Sequence, residues 1–246
     1  MTPRFQNKTV LVTGGSTGIG LATAARLLAE GATVFITGRR RAELDEALAQ
    51  LGDRAIAVQG DITSHADLTR LFATIQDRAG HLDAVVANAG GGSLVPLGQY
   101  TDELLDERFA INVKGTAFTV QEALPLMGRG GSIVLIGSIS GLSGMAGLGI
   151  YGATKAGLRL LARTWSTELK ERGIRVNVVS PGIFITEAYT AAGITEANYD
   201  SLLPSIPMGR LGKVEEVAGV IAFAASDDSS YMTGTEIVVD GGLTQV

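Results

Sequence analysis

Apolar positions along the chain fall into two alternating kinds of segment. Short runs rich in β-branched residues, TVLVT (9–13), TVFIT (33–37), AIAVQ (55–59), DAVVA (83–87), SIVLI (132–136), RVNVV (175–179) and EIVVD (236–240), are apolar almost throughout. That is the pattern of strands covered on both faces. Between them, helix-like segments occupy 19–30, 40–51, 65–79, 102–127, 151–172 and 213–226. Strand–helix alternation with right-handed crossovers predicts an α/β fold: a single-domain Rossmann-type, doubly wound, seven-stranded parallel sheet with helices on both faces. No linker or shift in composition divides the chain, so residues 1–246 read as one domain.

Two stretches break the alternation. Residues 138–150 (SISGLSGMAGLGI) are Gly-rich and follow a strand directly, and residues 181–210 form a long connection before the last helix. Long loops in a compact domain tend to be functional or disordered. The second is rich in Ile, Leu, Tyr, Phe and Met, so a substrate loop or lid is expected at about 183–210.

Composition narrows the chemistry. The 246 residues include 33 Gly and no Cys, which excludes disulfide scaffolds, Cys-ligated zinc, iron–sulfur clusters and thiol nucleophiles. His65 and His81 stand alone, so no metal is expected. Twenty basic against 25 acidic residues give a net charge of −5, and the basic residues are scattered apart from Arg39-Arg40-Arg41, so no nucleic-acid partner is expected. No run of about 18 apolar residues predicts a membrane span, and MTPRFQNKTVLV lacks the layout of a signal peptide. A cytoplasmic protein is the resulting expectation.

The first strand runs into Thr13-Gly14-Gly15-Ser16-Thr17-Gly18-Ile19-Gly20, and a helix follows at once. A Gly-rich strand-to-helix turn lets backbone approach a pyrophosphate at the positive helix end. Gly14, Ser16, Thr17, Gly18, Ile19 and Gly20 are the candidate contacts. No Gly-Lys-Ser/Thr closes the motif, so it is not a P-loop. The second strand ends Thr37-Gly38-Arg39-Arg40, with Gly38 where an NAD-reading carboxylate would stand. An arginine fork there suits a ribose 2′-phosphate. NADP(H) is therefore expected, with Arg39 the first choice and Arg40 the second, and NAD(H) the alternative. Asp61-Ile62 after the third strand could face adenine, and Asn88-Ala89-Gly90 after the fourth could pass the ribose. Ordinary turn chemistry, with Asp61 capping the helix at 65, would account for them as well.

Tyr151 and Lys155, four apart at the start of a helix, share one face. A phenol titrates near 10, and a neighbouring cation lowers that value toward a usable general acid–base range. The same pair could be two surface residues. Ser138, just past the fifth strand, and Asn112, a poor helix former among apolar neighbours, are the polar residues that could complete a site.

Taken together, these motifs resemble the short-chain dehydrogenase/reductase family over essentially the whole chain. The family's T-G-x-x-x-G-x-G stands at Thr13–Gly20, its N-A-G at Asn88–Gly90, its Asn-Ser-Tyr-Lys tetrad at Asn112, Ser138, Tyr151 and Lys155, and its Pro-Gly at Pro181-Gly182, followed by Thr186. Ala87 stands where many members have a second Asn. Gly-Arg-Arg-Arg after strand two and the ending VDGGLTQV most resemble NADP-dependent secondary-alcohol dehydrogenases that accept bulky substrates. The resemblance implies metal-free hydride transfer, with Tyr151 as general acid–base. Lys155 would lower the Tyr151 pKa and bind the nicotinamide ribose. Ser138 would polarise the carbonyl, Asn112 would hold a relay water, and Ile183 and Thr186 would contact the carboxamide. It also implies a homotetramer, with 102–127 and 151–172 packing between subunits.

The expected pocket walls, 91–97 and 139–150, hold no charged residue, and the lid wall at 183–208 has only Glu187, Glu196 and Asp200. The small-molecule substrate is accordingly expected to be an uncharged, hydrophobic ketone, aldehyde or secondary alcohol. A 3-oxoacyl, sugar, steroid or imine reductase is the nearest alternative on the same machinery. A non-catalytic nucleotide sensor or a Rossmann methyltransferase comes from other classes, and the tetrad argues against both.

Overall fold

In the computed structural model, residues 3–186 and 200–246 are described. Seven apolar runs form the strands β1 (Thr9–Thr13), β2 (Thr33–Gly38), β3 (Ala55–Gln59), β4 (Leu82–Ala87), β5 (Met127–Ile136), β6 (Arg175–Pro181) and β7 (Glu236–Val239). They make one sheet in the order β3-β2-β1-β4-β5-β6-β7, every pair parallel. The chain winds outward from β1 to β3, returns to β4 beside β1, and winds out the other way. At that reversal the carboxyl ends of neighbouring strands diverge and open a crevice.

Period-two alternation builds a core on each face. Val10 and Val12 of β1, Val34 and Ile36 of β2 and Val134 of β5 pack against helices α1 (Gly18–Ala29), α2 (Arg41–Leu51) and the last helix, Val214–Ala225. On the opposite face, Leu11, Phe35, Val85, Ile133 and Val176 pack against α3 (His65–Arg78) and two further helices, Thr116–Ala123 and Gly149–Glu168. Such side chains each contribute roughly 1.5–3 kcal/mol of apolar burial. Among the described residues, no helix is long and apolar enough to cross a membrane.

One expected element divides. The single helix read at 102–127 is α4 (Asp102–Phe109), a π-helical turn (Ala110–Gly115), α5 (Thr116–Ala123) and a short 3₁₀ turn (Leu124–Leu126) that leads into β5. The wide turn lies where Asn112 enters the interior and Gly115 presses on Ile62, with only 2.8 Å between the Ile62 side chain and the place a Cβ would occupy. Pro125 lacks the N–H that another α turn needs, so the helix closes there. The strand begins earlier than its apolar run because Met127 already pairs with Leu82 before the register shifts.

Helix α6 spans Gly149–Glu168, two residues earlier than its apolar pattern. It runs through a 3₁₀ turn, Lys170–Arg172, to Gly173, whose left-handed backbone (φ 62°) ends it. The last helix, Val214–Ala225, becomes α7.

Candidate active site

The turn from β1 to α1 is clipped to the end of β4. Thr13 Oγ1 accepts hydrogen bonds from the backbone N–H groups of Asn88 and Ala89, both at 3.0 Å. In return the Asn88 side-chain amide donates to the carbonyls of Thr13 (2.9 Å) and Gly14 (3.0 Å). Asn88 therefore uses its side chain to brace the Gly-rich turn, and any cofactor contact from 88–90 falls to backbone and Gly90. Helix α1 lies so close to the turn that a Cβ on Gly20 would stand 2.0 Å from the Gly14 carbonyl oxygen. Thr17, the N-cap, makes no side-chain cap bond, and the first turn of α1 holds no acidic residue. Its leading N–H groups thus face the crevice with no side-chain acceptor, a cradle that fits a pyrophosphate. Thr186, beyond β6, reaches this cradle, 3.5 Å from where Gly18 would carry a Cβ. Pro181 pairs with Val239 and Gly182 donates to its carbonyl (2.8 Å), while the Ile183 carbonyl is bonded to Gly212 N–H (3.0 Å).

At the end of β2 the two arginines differ. Arg40 forms an ion pair with Glu43 in the first turn of α2, and Ser16 Oγ lies 3.5 Å from the same carboxylate. Arg39 is exposed, and among the described residues its guanidinium has neither hydrogen bond nor ion pair. Glu43 escaped the sequence reading, although an acid three residues after an arginine at a helix start is the usual signal for such a pair. Gly38 keeps the strand end close to Ser16, whose Oγ is 3.2 Å from its Cβ position. The Asp61 carboxylate accepts from the backbone N–H and hydroxyl of Thr63 (both 2.8 Å), and Ser64 rather than Asp61 caps α3 by accepting from Asp67 N–H. Ile62 is core, packed on Gly115.

Around the carboxyl end of β5 the remaining candidates converge. Lys155, only 4% exposed, donates from Nζ to the Ile136 carbonyl at 2.7 Å and sits 5.7 Å from the Tyr151 ring centroid, one turn along α6. Burial pushes the Lys155 ammonium down from 10.5 to about 8. Ser138 is buried just past β5, and its Oγ accepts from Ser140 N–H at 3.1 Å, which leaves the hydroxyl hydrogen to donate elsewhere. Asn112, at 0% exposure in the π-helical turn, donates to the Gly91 carbonyl (3.0 Å) and Thr154 Oγ1 (3.0 Å) and accepts from Gly91 N–H (2.9 Å). Both Nδ2 hydrogens are spent on protein, so a relay water could use only the remaining lone pair of Oδ1. The segment after β4 runs flat against the tyrosine: a Cβ on Gly92 would stand 2.7 Å from the Tyr151 ring. Thr154 is the member of this cluster that the sequence reading missed, and Gly91, expected only as part of the pocket wall, is also the partner of Asn112.

A cavity beside Tyr151 is lined by Ser93, Val95, Tyr100, Leu104, Arg108, Gly147 and Ile150. The expected walls supply Ser93, Val95, Gly147 and Ile150. Tyr100 and α4 supply a third wall that the sequence reading did not include, and with it a guanidinium. The expectation of a pocket without a cation is therefore corrected. Of the expected lid at 183–210, residues 187–199, with Glu187 and Glu196, lie outside the described residues. Among the described residues no group of three or more His, Cys, Asp or Glu is placed to hold a metal ion.

Comparison with known proteins gives consistent results. A family model described as Enoyl-(Acyl carrier protein) reductase matches residues 14–244. The chain is 50% identical over 245 residues to Oxidoreductase asL5 of Sarocladium schorii, covering 99% of this chain and 98% of that one. It is 35% identical over 251 residues to the sorbitol dehydrogenase of Cereibacter sphaeroides, at 97% and 98% coverage. Among solved structures, the short-chain dehydrogenase/reductase described as a glucose/ribitol dehydrogenase from Brucella melitensis superposes with a TM-score of 0.95 at 33% identity, covering 100% of both chains.

The buried lysine makes stability depend on pH. In the unfolded chain it holds its proton up to about 10.5, and in the folded one up to about 8. Below pH 8 both states are protonated and the full penalty on folding applies, roughly 3 kcal/mol for that difference. The penalty fades as pH rises from 8 to 10.5, where the unfolded state binds the extra proton. In urea titrations, the stability of the native chain relative to Lys155→Met should climb across that window. A difference that stays flat with pH contradicts the depressed lysine.

Proposed function

Because the chain belongs to the short-chain dehydrogenase/reductase family, whose members bind a nicotinamide cofactor, we propose that it is an NADP(H)-dependent oxidoreductase. It interconverts ketones or aldehydes with alcohols, secondary alcohols foremost. The observation that carries this reading is the gathering of Asn112, Tyr151 and Lys155 around Gly90–Gly92, with Ser138 at the carboxyl end of β5, where Lys155 is anchored on the Ile136 carbonyl. Gly14–Gly20 would hold the pyrophosphate, Asp61-Ile62 and Asn88–Gly90 the adenosine side, and Pro181–Ile183 with Thr186 the carboxamide side. Arg39 would hold a 2′-phosphate, since Arg40 is already paired with Glu43. When bound, the nicotinamide supplies or accepts the hydride.

Tyr151 gives its phenolic proton to the carbonyl oxygen in reduction and takes it back in alcohol oxidation. Proton transfer of this kind contributes about 10²–10⁴-fold. Lys155 does not need to touch the phenol to assist it: an ammonium 5.7 Å from the ring, inside a desolvated site, favours the phenolate by charge. Ser138 donates to the same substrate oxygen, its rotor fixed by the bond it accepts from Ser140. Asn112 clamps Gly91 so that the segment stays flat against Tyr151. The reading extends to a cytoplasmic homotetramer, which the exposed Leu160 (65%) on α6 and Phe109 on α4 support.

Three measurements test it. Tyr151→Phe should lower carbonyl reduction by at least about 10²-fold while NADPH affinity, read by fluorescence, stays within about twofold of the native chain. Retained turnover overturns the mechanism. Arg39→Glu should cut the NADPH-over-NADH preference in kcat/KM at least about tenfold, and an unchanged ratio removes Arg39 from that role. Light scattering should return four times the chain mass; a monomer contradicts the assembly.

A further inference from the structure

Arg108 lines the cavity beside Tyr151, and the proposed reaction leaves its guanidinium unused. Leu104 and Arg108 lie four apart on one face of α4 and both line the cavity, and Asn112, in the π-helical turn that follows, holds Gly91 beside it. Its side chain is only 18% exposed. Within that enclosure Nε is buried with no acceptor among the described residues. Nη2 has two distant neighbours, Ser93 Oγ at 3.4 Å and Glu107 Oε2 at 3.5 Å. Glu107 is adjacent in the chain and 62% exposed, a water-screened partner of little worth. Nη1 lies 3.8 Å from the Cβ position of Gly91, on the segment whose next residue carries the Tyr151 ring.

A guanidinium withdrawn from water without a close anion is costly, and the cost is recovered when a ligand supplies the missing acceptor pair. Among the described residues nothing else in the cavity answers to that charge: Ser93, Tyr100 and Tyr151 line it with hydroxyls, Val95, Leu104 and Ile150 with apolar surface, and none of the described lining residues is a carboxylate. We infer that Arg108 is a substrate-binding residue that takes the carboxylate of a carbonyl compound, so that the preferred substrates are keto acids and the matching hydroxy acids. The planar fork grips the two carboxylate oxygens, the apolar wall holds the carbon skeleton, and the ketone oxygen is left at Tyr151. The carboxylate itself is unchanged: hydride goes to the carbonyl carbon and the Tyr151 proton to its oxygen. The inference rests on the carbonyl-reductase reading and specifies its substrate class.

The test uses paired probes at two spacings, benzoylformate and 4-acetylbenzoate, each against its methyl ester. The native protein should favour one acid over its ester at least about tenfold in kcat/KM, carried by KM, as expected for about 1.5–3 kcal/mol in a charge-assisted bond. In Arg108→Met and Arg108→Gln the acid-to-ester ratio should fall about 10–100-fold. Arg108→Lys, which keeps the charge but loses the fork, should fall between. Calorimetric titration of the same acids and esters, with and without NADP⁺, should follow the same order independently of turnover. An acid-to-ester ratio and acid affinity that do not change in Arg108→Met and Arg108→Gln overturn the inference. Should the native protein reduce neither acid nor ester, the carbonyl-reductase reading fails, and the calorimetric order alone decides Arg108.

Discussion

Three glycines leaving β4 let three side chains come together. Gly90 passes Asn112 and Lys155, Gly91 is held by Asn112, and Gly92 lies on the Tyr151 ring. A methyl group at the first or last of these would overlap a candidate catalytic side chain, so the site depends on backbone used as filler where other sites use side chains. The brace between Asn88 and the Thr13–Gly14 carbonyls fixes where that backbone leaves the sheet. Fold and chemistry meet there: the sheet reversal creates the crevice, the brace sets its rim, and the glycine segment brings the crevice wall onto the tyrosine.

The lysine shows what this compactness costs. Its ammonium has the Ile136 carbonyl as a close acceptor and loses most of its hydration. The desolvation that depresses its own proton affinity is also the condition under which the proposed action of its charge on the phenol, across more than 5 Å, would be little screened. A surface lysine at the same spacing would be stable and of little use to a neighbouring phenol. The site accepts a locally unfavourable charge, and the two hydrophobic layers of the sheet absorb the difference.

Most of the fold was legible because parallel strands buried on both faces announce themselves as short apolar runs, and each of the seven was found within a few residues of its structural bounds. The four catalytic candidates were legible as motifs. The division of 102–127 was not, because a π-helical turn has no compositional signature: it arises when a buried polar side chain must reach a distant backbone, a tertiary demand. Ser64 displaced Asp61 as the cap of α3 for a related reason, since either residue type can cap and only geometry chooses. Arg108 was overlooked because the walls were drawn from loops, at 91–97, 139–150 and 183–208, and not from a helix.

The wide turn at Ala110–Gly115 separates two helices with different obligations. Helix α5 commits Thr116, Thr119, Val120 and Ala123 to the interior, whereas α4 has no fully buried residue. A continuous helix would couple the two, and a change of side chain on the substrate wall would be felt as a rotation in the core. The extra backbone in the π turn acts as a slip joint between them. Side chains on the cavity face of α4, Leu104 and Arg108 among them, can therefore change without a matching rotation of the core helix or of the sheet beneath it.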